Sequence, residues 1–435
     1  MESAVGTVSA LTGTGNFSVT GLAFKPKVLI VYSAMQPTGA GFEFRAGFGA
    51  AVSNTSRFAV WSIDDDAAGT SNSARSHTEA AVFSAIDENL VATANIDFVS
   101  FNADGFTLNR TIDAGVTILL NYLVLGGSTL TNVAIKHFTM PMAGAASVGY
   151  TGVGFKPDGI LFFSSLAGGV IPGSSSTGWL NVGFASSATA MASANVRADD
   201  NSVAANTSHG QTTAAVLLDT DTANTYHKAT LTSFDADGFT LNYSVANTHT
   251  PNTWALCLKG GDYKVGEITQ KTSTGTQATT GLGFRPAAVL FMSTNDASNS
   301  DFEPHANLSV GAATSNTQQA SIWAGSVDAV DPTQADRYQD SANVLRMMTA
   351  GTPTTEAVAS FVSRDPDGFT LDWTTADSTA RLIEYIAFGP LQGTGGGGGG
   401  GGRGGGGGNP NNPPGGGGKR DKGVLRKVRT LDNVL

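Results

Sequence analysis

Asn102-Ala103-Asp104-Gly105-Phe106-Thr107-Leu108-Asn109, Asp235-Ala236-Asp237-Gly238-Phe239-Thr240-Leu241-Asn242 and Asp365-Pro366-Asp367-Gly368-Phe369-Thr370-Leu371-Asp372 are three copies of one phrase. Each reads as a β-hairpin corner. Pro366 suits the first central position of a type I turn, Asp367 the second, and Gly368 can take the left-handed conformation that a tight corner asks for. The same reading applies to Gly105 and Gly238. A strand arrives before each corner, as at Phe98-Val99-Ser100-Phe101. Another leaves after it, with Phe106 and Leu108 on one face and Thr107 and Asn109 on the other, the period of a half-buried strand.

A second phrase keeps the same spacing. Thr20-Gly21-Leu22-Ala23-Phe24-Lys25-Pro26 recurs as Thr151-Gly152-Val153-Gly154-Phe155-Lys156-Pro157 and as Thr280-Gly281-Leu282-Gly283-Phe284-Arg285-Pro286, each followed by an apolar strand. Gly21, Gly152 and Gly281 lie 131 and 129 residues apart, and the corner glycines 133 and 130. Two landmarks with one period define an internal repeat of domain size, too long for a solenoid. Gly47, Gly183 and Gly311 each precede a small-residue stretch and read as a third landmark. Apolar strands at Ile118–Leu125, Trp254–Leu258 and Leu382–Phe388 close the units, and such runs predict burial on both faces.

The expected architecture is therefore all-β: three tandem antiparallel β-sandwich, jelly-roll-like domains, each able to bury its own core. Their limits are 1–135, 136–263 and 264–392, followed by a Gly-rich linker at 393–418 and a basic peptide at 419–435. Charged residues make up 14% of the chain, against about 25% in an average protein, which suits short strands joined by small polar turns. The net charge is −10. From Gly393 onward there are seven Lys/Arg and two Asp/Glu, leaving −15 on the rest. An acidic body argues against nucleic acid as its partner. Among 26 residues of linker, glycine dominates, so it reads as a flexible tether with a typical span of roughly 30 Å. Beyond it, Leu425, Val428, Leu431 and Leu435 fall at helical spacing, with Arg426, Lys427 and Arg429 between them. That pattern predicts an amphipathic attachment peptide that needs a partner.

Chemical motifs are sparse. Cys257, the single cysteine, lies in an apolar run and reads as a buried hydrophobe. No signal-peptide pattern opens the chain, and no apolar run is long enough for a membrane span, so a soluble protein made in a reducing cytoplasm is expected. The Asp-x-Asp-Gly corners resemble the start of a calcium loop, but the bidentate glutamate is missing and they read as turns. Asp64-Asp65-Asp66 and Asp199-Asp200 read as solvated loop charge. Ser76-His77 and Ser208-His209 occupy similar places in the first two repeats. Without a nucleophile elbow or a third partner they read as loop hydrogen-bonding residues, and no catalytic residue or cofactor is assigned. The segments 52–95, 189–226 and 315–356 vary most and carry most of the polar residues, so ligand contacts are expected there. Trp61 and Trp323 read as core. Trp179, in a Gly/Ser-rich stretch, is the better platform for stacking on a ligand. Trp179, His77 and His209 are therefore the candidate contact residues.

The two phrases, T-G-[LV]-[GA]-F-[KR]-P and D-G-F-T-L-[ND], resemble repeats in structural proteins of tailed bacteriophage particles, over residues 1 to about 391. The resemblance implies a non-enzymatic virion component of tail, fibre or surface-decoration type. It further implies other virion proteins or further copies of the chain as partners, and host-surface glycan as a ligand. An array of carbohydrate-binding modules is the alternative, and a glycan-degrading enzyme a more distant one.

Overall fold

A computed structural model describes residues 1–390, save 11, 116, 143–145, 166–169, 219–226 and 246–249. The linker and the peptide 419–435 lie outside the described residues. Within them the chain is all-β and every strand pair is antiparallel. Each repeat is a two-sheet sandwich. In the first, the larger sheet runs in spatial order Glu2–Ser9, Leu119–Gly126, Pro26–Ser33, Phe44–Ser53, Ser56–Asp64, Ser73–Thr78. The smaller sheet runs Gly15–Val19, Gly105–Asp113, Ala92–Asn102, Phe83–Ile86. The other repeats follow the same order. The opening strands Asn132–Thr139 and Asp262–Thr269 pair wholly within the second and third repeats. The changeovers thus fall in the turns 127–131 and 260–261, a few residues before the expected limits.

The seventh strand of each larger sheet comes from another repeat. Gly173–Ser176 of the second repeat pairs with Ser73–Thr78 of the first. Ser300–Pro304 of the third pairs with Thr207–Thr212 of the second. Gly39–Phe42 of the first pairs with Ala335–Asp340 of the third. The exchange is cyclic, so three head-to-tail contacts close into a ring around a pseudo-threefold axis. It also covers three sheet edges that would otherwise expose unpaired backbone.

Closure explains the doubly apolar strands. In Pro26–Ser33, Leu29 and Val31 face the first sandwich, while Val28, Ile30 and Tyr32 face a core shared by all three repeats. Ile160 and Phe162 alternate in the same way with Leu161 and Phe163, and Val289 and Phe291 with Leu290 and Met292. The Tyr32 hydroxyl donates to Ala320 O (2.9 Å) and accepts from Ala312 N (3.1 Å), tying the first repeat to the third inside that core. Each repeat has a core of its own, as expected, but the repeats also share one, and Met1 to the last described strand is one compact body.

The hairpin corners are where the sequence places them, with two-residue turns between Asn102 and Gly105, Asp235 and Gly238, and Asp365 and Gly368. The reason for glycine is different. Gly238 alone of the three has a positive φ, 150°; Gly105 and Gly368 are not left-handed. Instead, a Cβ at any of them would run into a backbone carbonyl oxygen of the neighbouring strand, that of Val19, Tyr150 or Thr279. Glycine is there for close approach of two backbones. The third landmark also shifts. Gly49, not Gly47, matches Gly183 and Gly311, because these three approach the carbonyls of Val82, Ala215 and Val344 in the same way.

The two sequence phrases meet in space. Asp237 accepts hydrogen bonds from Gly152 N (3.0 Å) and Gly154 N (2.5 Å), and Asp367 from Gly281 N (3.0 Å) and Gly283 N (2.5 Å). Asp104 takes Gly21 N at 3.2 Å. The bonds from Gly154 and Gly152 hold the Asp237 carboxyl below the usual range. Within each hairpin, Asp235 accepts from Ser233 and Thr240, and Asp365 from Ser363 and Thr370. These aspartates clasp backbone and hydroxyl groups, the turn role the sequence suggests.

Candidate functional site

A set of polar residues from the variable segments lines three seams between repeats. The ladder register makes Arg75, His209 and Arg337 equivalent, each being two residues after the first paired residue of its strand, Ser73, Thr207 or Ala335. The residues they meet are Thr177, His305 and Glu43, which join each exchanged strand to the next and all have positive φ, 71°, 72° and 68°. Arg75 Nη1 donates to Ser176 O (2.8 Å) and to Thr177 O. His209 Nδ1 donates to His305 O at 2.6 Å, and Arg337 Nη1 to Glu43 O at 3.3 Å. Each seam therefore has a left-handed residue whose carbonyl is capped by a side chain of the preceding repeat.

The seams share other bonds. Asp66 Oδ1 accepts from Ala335 N (2.9 Å), Asp200 Oδ1 from Ser73 N (3.3 Å) and Asp328 Oδ1 from Thr207 N (2.9 Å). Ala67, Asn201 and Ala329, again at positive φ, donate to Thr333 O, Ser71 O and Ala205 O. The acid clusters are thus seam clamps, not solvated loop charge. Asp64 is fully buried, accepts from Ser326 Oγ at 2.6 Å, and is pushed up to about 7 by burial.

His77 is not the counterpart of His209. In register it matches Gln211 and Gln339, two residues further along, so the two Ser-His pairs are out of step. Gln211 Oε1 accepts from Thr294 N and Gln339 Oε1 from Ala34 N, both at 3.0 Å and both across a seam. His77 Nε2 lies 2.9 Å from Val170 O of the second repeat, and its ring packs on Trp254. Burial lowers its proton affinity. Trp179 is corrected from loop to strand: it lies in Gly178–Ser187, is buried, and has the guanidinium groups of Arg75 (4.9 Å) and Arg197 (5.5 Å) over its ring. All three candidate contact residues are seam residues. The attachment residues Leu425, Arg426, Lys427, Val428 and Leu431 lie outside the described residues.

The seam between the second and third repeats carries a cleft of about 420 Å³. Its origin is legible residue by residue. Two positions after the left-handed residue stand Arg45, Trp179 and Asn307; their cross-strand partners are Ile63, Arg197 and Gly325. The first-repeat arm fills its seam with Arg45, ion-paired to Glu43 at 2.5 Å beside Arg337. The second-repeat arm fills its own with Trp179. The third has Asn307 and Gly325, and its cap is the shorter His209. Around the cleft His209 Nε2 lies 3.0 Å from Asp296 Oδ2, which also accepts from Thr294 Oγ1 (2.8 Å). Arg381 bonds Asn295 O (2.5 Å), Asp377 and Glu356, and Glu356 accepts from Thr349 Oγ1 (2.9 Å). Met348 and Val327 supply apolar surface.

Comparison with protein-family models, with curated proteins and with solved structures yields no match. No helix among the described residues is long and apolar enough to cross a membrane.

Proposed function

We propose that this chain is a non-enzymatic structural component of a tailed-bacteriophage particle, of tail, fibre or surface-decoration type, held in the assembly by residues 419–435. The observation that carries the reading is the use of the polar side chains. Arg75, His209, Arg337, Asp66, Asp200 and Asp328 are spent on closing the ring. A chain that invests its buried polar groups in a closed three-part body is built as a rigid part. The tether and basic, leucine-bearing end then serve as the attachment: a glycine tether is useful when something is held at its far end, and an apolar stripe flanked by cations suits a groove on an acidic partner. Mass spectrometry of purified particles should detect the chain at stoichiometric level, and deletion of 419–435 should remove it while leaving its thermal midpoint unchanged. Normal incorporation of the truncated chain would refute the attachment role. The pair Leu425→Asp and Leu431→Asp should also abolish incorporation; retention with steep salt sensitivity would point to nucleic acid.

A further inference from the structure

We infer that His77 is an acid-sensitive catch: a second proton on its ring loosens the seam between the first and second repeats. This goes beyond a rigid structural role and holds whether or not the chain belongs to a particle. The first observation is a broken pseudo-symmetry. His77, Gln211 and Gln339 occupy one position, the fifth paired residue of each strand. The glutamines bridge their seams through Thr294 N and Ala34 N, and Gln339 Nε2 also donates to Asn121 Oδ1 at 2.8 Å. An amide does not titrate. Only the seam between the first and second repeats fills this position with a side chain that titrates near neutrality.

The second observation is how the ring is held. His77 is 1% exposed. Gly173 of the second repeat is its cross-strand partner, and a Cβ there would lie 2.8 Å from Nε2. The ring therefore has no room to turn aside. Once charged, both its nitrogens are donors. Val170 O can accept from Nε2, at 2.9 Å, but Asn252 Nδ2, itself a donor, stands 3.2 Å from the same atom. Nδ1 is buried, and no acceptor reaches it. The neutral ring fits this place and the charged ring leaves a buried donor unpaired. His209 differs, since His305 O and Asp296 meet both its nitrogens.

The surrounding charges do not offset that cost. Arg75 on the same strand and His137 from the second repeat's opening strand oppose a second proton. Glu79 favours it, but its side chain is 46% exposed and already accepts from Trp254 Nε1 at 3.0 Å. The neighbouring strands present Val60, Gly173, Asn252 and Trp254, none of them charged. Burial, the largest cause, lowers the proton affinity of the closed seam's ring. An opened or unfolded ring takes its proton at the ordinary value of about 6.5. The contribution of His77 to the seam is therefore full above that value and is lost as pH falls from it through the lower folded value.

The test is hydrogen exchange of the full chain, read by mass spectrometry at about pH 7.5 and about pH 5 and corrected for the pH dependence of exchange itself. The arm Gly173–Ser176 pairs with the His77 strand, and the equivalent arm Gly39–Phe42 with the Gln339 strand. Protection of Gly173–Ser176 should fall about tenfold at the lower pH relative to Gly39–Phe42. In His77→Gln, which installs the residue of the other two seams, the two arms should keep the same ratio at both pH values. An unchanged ratio in the parent chain would overturn the inference, and that comparison stands even if the variant fails to fold. A loss shared alike by both arms would overturn it too, as would one that persists in His77→Gln.

Discussion

A single methyl group tests the hairpin clasp. Gly105, Gly238 and Gly368 lie where two backbones touch, and Gly368→Ala drives Cβ into Thr279 O. The strands must part, so we expect destabilisation of about 1–3 kcal/mol by denaturant titration, with Gly105→Ala behaving alike. Substitution at exposed Gly69, which has open space around it, should cost far less. Asp64 provides a second test. Its folded carboxyl is raised to about 7 by burial, so its contribution to stability is fully present below about pH 4 and is lost as pH rises through 7. Asp64→Asn keeps an acceptor for Ser326 and removes the titration. The variant should match the parent near pH 4 and exceed it near pH 8 by up to about 4 kcal/mol. A difference independent of pH would show that Asp64 does not titrate in this window.

The exchanged strands carry the seams, and their caps can be removed one at a time. Arg75→Ala takes the donor from Ser176 O and Thr177 O and strips one guanidinium from Trp179. Thermal denaturation should show a loss of about 2–4 kcal/mol, from orphaned carbonyls together with the cation–π contact. An unchanged midpoint would mean that the cap does not support the seam. The chemistry of the cap is free to vary, as Arg75, His209 and Arg337 demonstrate, because its task is to reach one carbonyl.

Cooperativity follows from the shared core. Strands such as Pro26–Ser33 bury one face in their own sandwich and the other against the remaining two repeats. Residues 1–390 should therefore melt in one calorimetric transition. A single repeat, such as residues 131–261, would expose the shared face and one unpaired sheet edge. Expressed alone it should be unfolded or assemble as a trimer through the same head-to-tail exchange. A folded monomer of one repeat would contradict this account, as would three separate transitions for the whole.

Hydrogen bonds between near neighbours and period-two alternation are local, so the all-β class, the hairpin corners and the repeat spacing could be read from residues such as Asp367, Gly368 and Phe369. The polar residues that matter were also visible: His77, His209 and Trp179 are all seam residues. Their partners were not, because Val170, His305 and Arg75 belong to other repeats, or to strands whose pairing depends on an edge far away in the chain. Equivalence was hidden for the same reason. Arg75 and Arg337 are both arginine but His209 is not, the residues around them differ, and only the ladder register sets the three together. Apolar runs announced burial on two faces, yet a run of Val28 to Tyr32 says nothing about what covers each face. That choice rests on the sum of packing over three sheets, which is a property of the closed ring and of no segment within it.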